Sequence, residues 1–363
     1  MNQELHQELQ ETQRAAGAIA EDIAPGVMAA VSFNNDGQAL QAAQSGVALY
    51  DRTPWGRLEL TGGDRLRFVH NQSTNAFNQR QPGDLCETVF VNNTGRTLDL
   101  ATAYITEEAV ILLVSPNRRD SLFQLLDRYI FPADNVELRD RTSETACFSL
   151  IGDNSSQLLQ QLGLTQEIPP GQHRLLSLDH LPNSPQIRLG AGNGLNLPGY
   201  TFLCDADQAA SIWKALQENG ATPLGETVWQ QLRIQQGRPA PDAELTLDYN
   251  PLEAGLWDYI SFDKGCYIGQ ETIARLNTYQ GVKQQLWGLR LAEFVDPGTP
   301  IQVDDTKVGT LTSIVATDDG YLGLGYVRTK AGGAGLSVQV GSSDATVIEV
   351  PFLSRGYLAG VKK

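Results

Sequence analysis

The sequence is poor in the residues from which ready-made metal and redox sites are built. Its four cysteines, Cys86, Cys147, Cys204 and Cys266, are spread over 363 residues with no C-x-x-C pair. That excludes a zinc ribbon, a ferredoxin-type cluster site and a thioredoxin motif. Four scattered histidines add no metal template, so no metal ligand is assigned. Neither H-E-x-x-H nor a nucleophile elbow is present. Positive charge is scarce as well: 27 Lys+Arg against 42 Asp+Glu leave a net charge of −15. Such an acidic surface repels phosphate backbones, so no direct nucleic-acid binding is expected and any anionic ligand must be met locally. No apolar run approaches the roughly 20 residues that cross a bilayer, and the Gln- and Glu-rich start lacks the pattern of a signal peptide. The expected setting is reducing and cytoplasmic, without membrane contact. Asn71, Asn92 and Asn154 in Asn-x-Ser/Thr triplets then read as chance matches.

What is there is the composition of a folded protein, 41% hydrophobic and 19% charged, long enough for two or three domains at about 150 residues each. Residues 1–37 read as a polar arm or surface helix, with Leu5, Leu9 and Ala15 to Ala20 giving a thin apolar stripe. From Gln38 strands and helices interleave. Arg57 to Thr61 alternates like a half-buried strand, and Asp64 opens a helix with Leu66 and Val69 inward and His70 at its polar end. Cys86 to Val91 and Leu98 to Ile105 flank a hairpin signal at Asn92-Asn93-Thr94-Gly95, and Ala109 to Val114 leads to a helix through Leu122 and Leu126. Strands near Thr145 to Leu150, Leu175 to Leu178, Gln186 to Leu189 and Tyr200 to Leu203 alternate with helices near Ser155 to Leu162 and Ala206 to Glu218. This interleaving predicts an α+β class. After about Gln284 six short strands between Gly or Pro turns, starting at Leu286, predict a small barrel or sandwich. The expected division is 38–140 and 141–285 for two α+β lobes, interleaving allowed, and 286–363 for the C-terminal part. Gly190-Ala-Gly192-Asn-Gly194, Gly323-Leu-Gly325 and Gly332-Gly333-Ala-Gly335 lack phosphate-loop spacing and read as turns.

The chemistry concentrates in Lys264-Gly265-Cys266-Tyr267-Ile268-Gly269-Gln270-Glu271. Two glycines bracket Cys266 on a tight turn ahead of a helix that Glu271, Ile273 and Leu276 outline. A helix N-terminus and a neighbouring ammonium each favour thiolate, a setting that lowers a cysteine pKa from about 8.5 toward roughly 3.5 to 7.5. A reactive, accessible thiol at Cys266 is set against a small apolar residue filling a turn. Cys86, Cys147 and Cys204 lie in strand-like runs and read as core. Trp257 and Tyr259, just upstream, suit the wall of a flat heteroaromatic pocket as well as they suit core packing.

K-G-C-Y-I-G-Q-E resembles the signature of the YgfZ-type folate-binding proteins, which are related in fold to the aminomethyltransferase (T-protein) of the glycine cleavage system. The resemblance runs from about Gln38 through Ala48-Leu49-Tyr50-Asp51, Thr61-Gly62-x-Asp64, Ser73-Thr74-Asn75, Gly199-Tyr200-Thr201, Leu232-Arg233-Ile234 with Gly237, and Pro251-Leu252-Glu253-Ala254-Gly255. Two departures from the T-proteins stand out. Their paired acid is reduced here to Asp99 beside Leu100, and the acid after G-Y-T is replaced by Phe202-Leu203.

The resemblance implies a three-domain cloverleaf, two α+β lobes plus a C-terminal β-barrel. It implies tetrahydrofolate or another reduced folate as cofactor and a role in assembling or repairing iron–sulfur clusters in client enzymes, among them tRNA-modifying methylthiotransferases. It maps the family's required cysteine onto Cys266, with Lys264 as its catalytic partner; the residues expected to bind the cofactor are Asp99, Arg233, Tyr267, Gln270 and Glu271, joined by Trp257 and Tyr259 from the pocket reading above. A monomer is expected. Arg52, Lys264, Arg233 and Arg275 would attract the folate anion if they converge. The other reading that the resemblance implies is an aminomethyltransferase that keeps Asp99 as its catalytic carboxylate.

Overall fold

The computed structural model describes residues 6–359, and the chain forms two compact units. The first takes in the chain up to Phe68, Gln79–Cys86 and Ala101–Trp229; the second holds Val69–Asn78, Glu87–Leu100 and everything from Gln230. The chain passes between them inside the strands Leu85–Val91 and Thr97–Ile105.

In the first unit the stretch ahead of Gln38 is more than a polar arm, and its first five residues lie outside the described ones. A helix, Gln7–Ala15, is followed by a hairpin of Ile19–Ala24 and Val27–Ser32. The turn signal is Pro25-Gly26: proline presets φ, and Gly26 takes the positive φ of +71° that a side chain resists. Leu9 and Phe33 are buried in one apolar cluster with Trp213 and Phe148, so the stretch belongs to the core. A six-stranded sheet runs in the order His173–Ser177, Gln186–Ala191, Gly199–Asp205, Thr145–Ile151, Ala48–Asp51, Thr222–Leu224. A five-stranded one runs Leu85–Val91, Thr97–Ile105, Ala109–Val114, Gly56–Thr61, Glu137–Asp140. In the strand Gly56–Thr61, Leu58 and Leu60 are wholly buried on one face, while Arg57 and Glu59 point to the other.

The second unit ends in a closed six-stranded barrel: Gln284–Leu291, Gly320–Arg328, Thr306–Thr317, Pro300–Val303, Ser337–Val340 and Ser343–Ile348, which pairs back with the first. Leu289, Ile301, Leu311 and Val347 fill it without measurable exposure. Gly323 and Gly325 lie within a barrel strand and not in a turn, because a Cβ at either would come within 3 Å of a neighbouring leucine or strand carbonyl. The helix Gln270–Thr278 buries Ile273 in a second cluster, with Trp257, Tyr267, Tyr326 and Phe352.

Candidate functional site

All the motif residues lie in the second unit, on a loop that the rest of the unit holds in shape. Asn92 Oδ1 accepts the backbone N–H groups of Thr94 and Arg96, which closes the hairpin turn Asn92 to Gly95. That turn backs directly onto the end of the motif. Gly269 takes φ +78° as the residue preceding the helix, and a Cβ there would sit 2.4 Å from the Asn92 carbonyl oxygen. No other residue type fits this contact without moving the hairpin.

The loop's other side docks on residues 70–75. Ser261 N–H donates to the Thr74 carbonyl at 3.0 Å and Ile268 N–H to the Asn71 carbonyl at 3.1 Å. Thr74 Oγ1 donates to the Tyr259 carbonyl at 2.8 Å. Lys264 completes the joint: its Nζ donates to the carbonyls of His70, Ser73 and Asn75, the last two at 2.7 and 2.6 Å, and lies 4.7 Å from the Tyr267 ring centre. An ammonium has three donors, and these carbonyls take all three. In this structure Lys264 fixes the loop against residues 70–75. Tyr267 is 9% exposed, and burial pushes its phenol up to about 12. The loop buries its tyrosine and anchors its lysine, yet Cys266 is exposed. Three residues separate Cys266 from Gln270, where the helix begins, so the thiol stands outside the first turn, where the helix dipole acts most strongly. Glu271 and Arg275 are exposed on that helix and Gln270 is half-buried.

The residues expected to line a folate pocket divide. Asp99, in the strand Thr97–Ile105, has no exposure, and its Oδ1 accepts the N–H of Leu100. Tyr259 stacks on Phe352 at 5.5 Å, and burial, then the charge of Glu87, pushes its phenol far up. Glu87 also pairs with Arg238 at 3.1 Å, and the Arg238 guanidinium lies 5.3 Å from the Phe352 ring centre. Sequence reasoning missed both Glu87 and Arg238; the signal was a lone acid inside the apolar run of its strand. Trp257 is core, edge-on to Tyr357 at 5.1 Å. Arg233 is occupied by its own unit: Nη1 pairs with Glu244 at 3.1 Å and Nη2 donates to Ser313 Oγ at 3.0 Å. Glu244, with no exposure, also accepts from Thr312, Ser313 and the Ala240 N–H. That ion pair ties the helix Glu226–Gln236 to the barrel, which is a structural duty. Arg52 belongs to the first unit, buried, with its guanidinium 3.8 Å from the Trp55 ring centre. The cations therefore serve separate ends.

Cys86, Cys147 and Cys204 are buried, and burial raises the Cys147 thiol to about 11. Among the described residues no three His, Cys, Asp or Glu side chains are grouped to hold a metal ion, and no helix is long and apolar enough to cross a membrane.

A closed barrel following mixed α/β sheets is the fold of a glycine cleavage T-protein. The crystal structure of glycine cleavage system aminomethyltransferase T from Bartonella henselae superposes with a TM-score of 0.84, covering 96% of this chain and 98% of that one at 16% identity. Residues 9–264 match the GCVT N-terminal domain, and the chain belongs to that family. A putative chloroplastic transferase of Arabidopsis thaliana is 44% identical over 94% of this chain and 78% of its own length. An aminomethyltransferase of Halalkalibacterium halodurans is 26% identical over 90% of this chain and 92% of its own.

Proposed function

We propose that this protein binds a reduced folate and acts, through Cys266, in the assembly or repair of iron–sulfur clusters in client enzymes. The observation that carries the reading is the construction of the motif loop: Lys264, Tyr267 and Gly269 are each committed to holding its shape, and the side chain it presents is a thiol. A thiol held in the open by buried neighbours suits transient ligation or nucleophilic attack, the two uses of thiolate sulfur. Among the described residues Cys266 is not part of a group of three or more His, Cys, Asp or Glu side chains, so an iron held there would draw ligands from a client as well.

The side chains suit a reduced folate on chemical grounds. A pterin edge presents adjacent N–H donors, which a carboxylate accepts well. Asp99 is a buried carboxylate and Glu87 a half-buried one in the second unit, and the stacked Tyr259 and Phe352 rings offer a flat wall. These residues would hold and orient the cofactor, whose contribution is to carry or accept a one-carbon unit.

The second reading, aminomethyl transfer to tetrahydrofolate with Asp99 as the catalytic carboxylate, is the one that the names of the relatives favour. One set of measurements separates the two. Tetrahydrofolate titration of the wild type, Cys266→Ala and Asp99→Asn should give binding that survives loss of the thiol. In cells lacking the protein, Cys266→Ala should then fail to restore a methylthiotransferase client that the wild type restores. Robust glycine cleavage turnover with the partner proteins, lost in Asp99→Asn and kept in Cys266→Ala, would replace the first reading by the second. Absence of any folate binding would remove both.

A further inference from the structure

A cavity lies within the first unit, lined by none of the residues discussed above as a folate or cysteine site. Its volume is about 210 Å³, and Arg57, Glu59, Ile111, Arg141, Leu175, Arg188 and Leu203 are among the residues that line it. The strand registers explain its walls. Leu175 pairs with Arg188 and Arg188 with Leu203, so the three form one row across adjacent strands of the six-stranded sheet. Glu59 pairs with Ile111 in the five-stranded sheet.

Three arginines, Arg57, Arg141 and Arg188, meet two acids, Glu59 and Asp205, in the lining of this cavity. Arg141 pairs with Glu59 at 3.1 Å and with Glu144 at 2.7 Å. Arg57 directs Nη1 and Nη2 to carbonyls, among them Thr53 O and Thr145 O at 2.7 Å each. Arg188 differs from both. Its one hydrogen bond among the described residues runs from Nη1 to His173 Nδ1 at 3.1 Å, and no carboxylate lies within 4 Å of it. His173 is a rigid partner: its Nε2 lies 2.8 Å from the Ile105 carbonyl, its ring packs on Tyr104, and it is 3% exposed. Because Nε2 donates to that carbonyl, Nδ1 is the acceptor. Arg188 is thus aimed by a neutral ring and keeps guanidinium donors beyond the one that His173 takes, with Glu107 acting on its charge from a distance and not as a bonded partner. Burial accordingly lowers its affinity for the proton.

We propose that this cavity is a binding site for a small monocarboxylate with an apolar body, the carboxylate received by the Arg188 fork and the body packed between Leu175, Leu203 and Ile111. A guanidinium with two parallel N–H groups free matches one carboxylate in bidentate fashion. The volume falls below the 300–1,000 Å³ or so of drug-sized sites, which limits the ligand to a small molecule. In a chain of net charge −15, the inner wall of this cavity is one of the places where a small anion would be drawn in rather than repelled.

The test is calorimetric titration of the full-length protein with benzoate, and in parallel with inorganic phosphate. Saturable millimolar benzoate binding is expected, weakened about tenfold or more in Arg188→Met, a loss of ~1.4 kcal/mol. Leu175 is 58% exposed, so Leu175→Glu tests the site without touching the core, and the charge it places at the cavity wall should weaken benzoate to a similar degree. Wild-type protein that takes up no benzoate, or variants that bind it as the wild type does, would overturn the proposal. Preference for phosphate over benzoate would overturn the monocarboxylate assignment.

Discussion

Arg57 in the first unit and Arg233 in the second are both buried, and their charges are accommodated in opposite ways. Arg57 meets carbonyls and the Thr145 hydroxyl, and among the described residues no carboxylate forms an ion pair with it. Arg233 meets the carboxylate of Glu244. Lys264 resembles the first pattern, with the carbonyls of His70, Ser73 and Asn75 among its hydrogen-bond partners. A cage of backbone dipoles spreads the compensation over several weak partners fixed by the fold, whereas an ion pair concentrates it in one. The carbonyl-held cations should therefore lose stability gradually as donors are removed, and the acid-held one abruptly.

The hardest test of that difference is Glu244→Gln, which keeps the shape but leaves the Arg233 charge buried without its counter-charge. A loss of ~3–5 kcal/mol is expected, read as a lower midpoint in urea. A loss no larger than that of Arg57→Lys would show that the two arrangements are energetically alike.

His173 carries the comparison to a neutral acceptor. Burial first, then the Arg188 charge, pushes its pKa down to about 4. In the unfolded chain the ring takes up a proton near 6.5, so the unfolded state binds more protons in the window between about 6.5 and 4. Stability should hold level above that window and fall as the pH drops through it, by up to ~3 kcal/mol. Equilibrium unfolding at several pH values should show this slope, and His173→Gln should flatten it; a slope unchanged in the variant would assign it to other groups.

Arg57→Lys keeps the charge but loses the planar fork that serves several carbonyls at once. The expected cost is ~2 kcal/mol, measured in the same urea series. Smallest of the set, Lys264→Met should cost ~1–2 kcal/mol, with the damage local. Amide exchange should quicken at Ser261 and Ile268, whose N–H groups bond to residues 71 and 74, while the barrel amides keep their protection. Uniform quickening would mean that Lys264 supports the whole unit and not the loop.

The barrel was legible because its signals are local: alternating runs between glycine and proline turns place all six strands within a few residues of where they lie. The hairpin at Asn92 to Gly95 and the helix after Gly269 were legible for the same reason. Two things were not. The hairpin Ile19–Ala24/Val27–Ser32 is built on alanines and small residues whose pattern is weak, so only Pro25-Gly26 marked it. The partners of Arg233, Lys264 and Arg57 were hidden more deeply, since a cation's acceptor is often a carbonyl, and carbonyls leave no mark in a sequence. Lys264 and Arg233 read in the sequence as ligand-binding cations, and their bonds to their own unit became visible only in the fold.

The Lys264 joint also sets a timetable. It connects residues up to 194 positions apart, so the cysteine loop has no local template and a peptide carrying the motif alone would not hold its shape. At synthesis rates of about 5–20 residues per second, roughly 10–40 s elapse between the emergence of His70 and that of Lys264. Until then the nascent chain has no thiol at this position to protect or to misuse, and the joint cannot close before Lys264 has emerged.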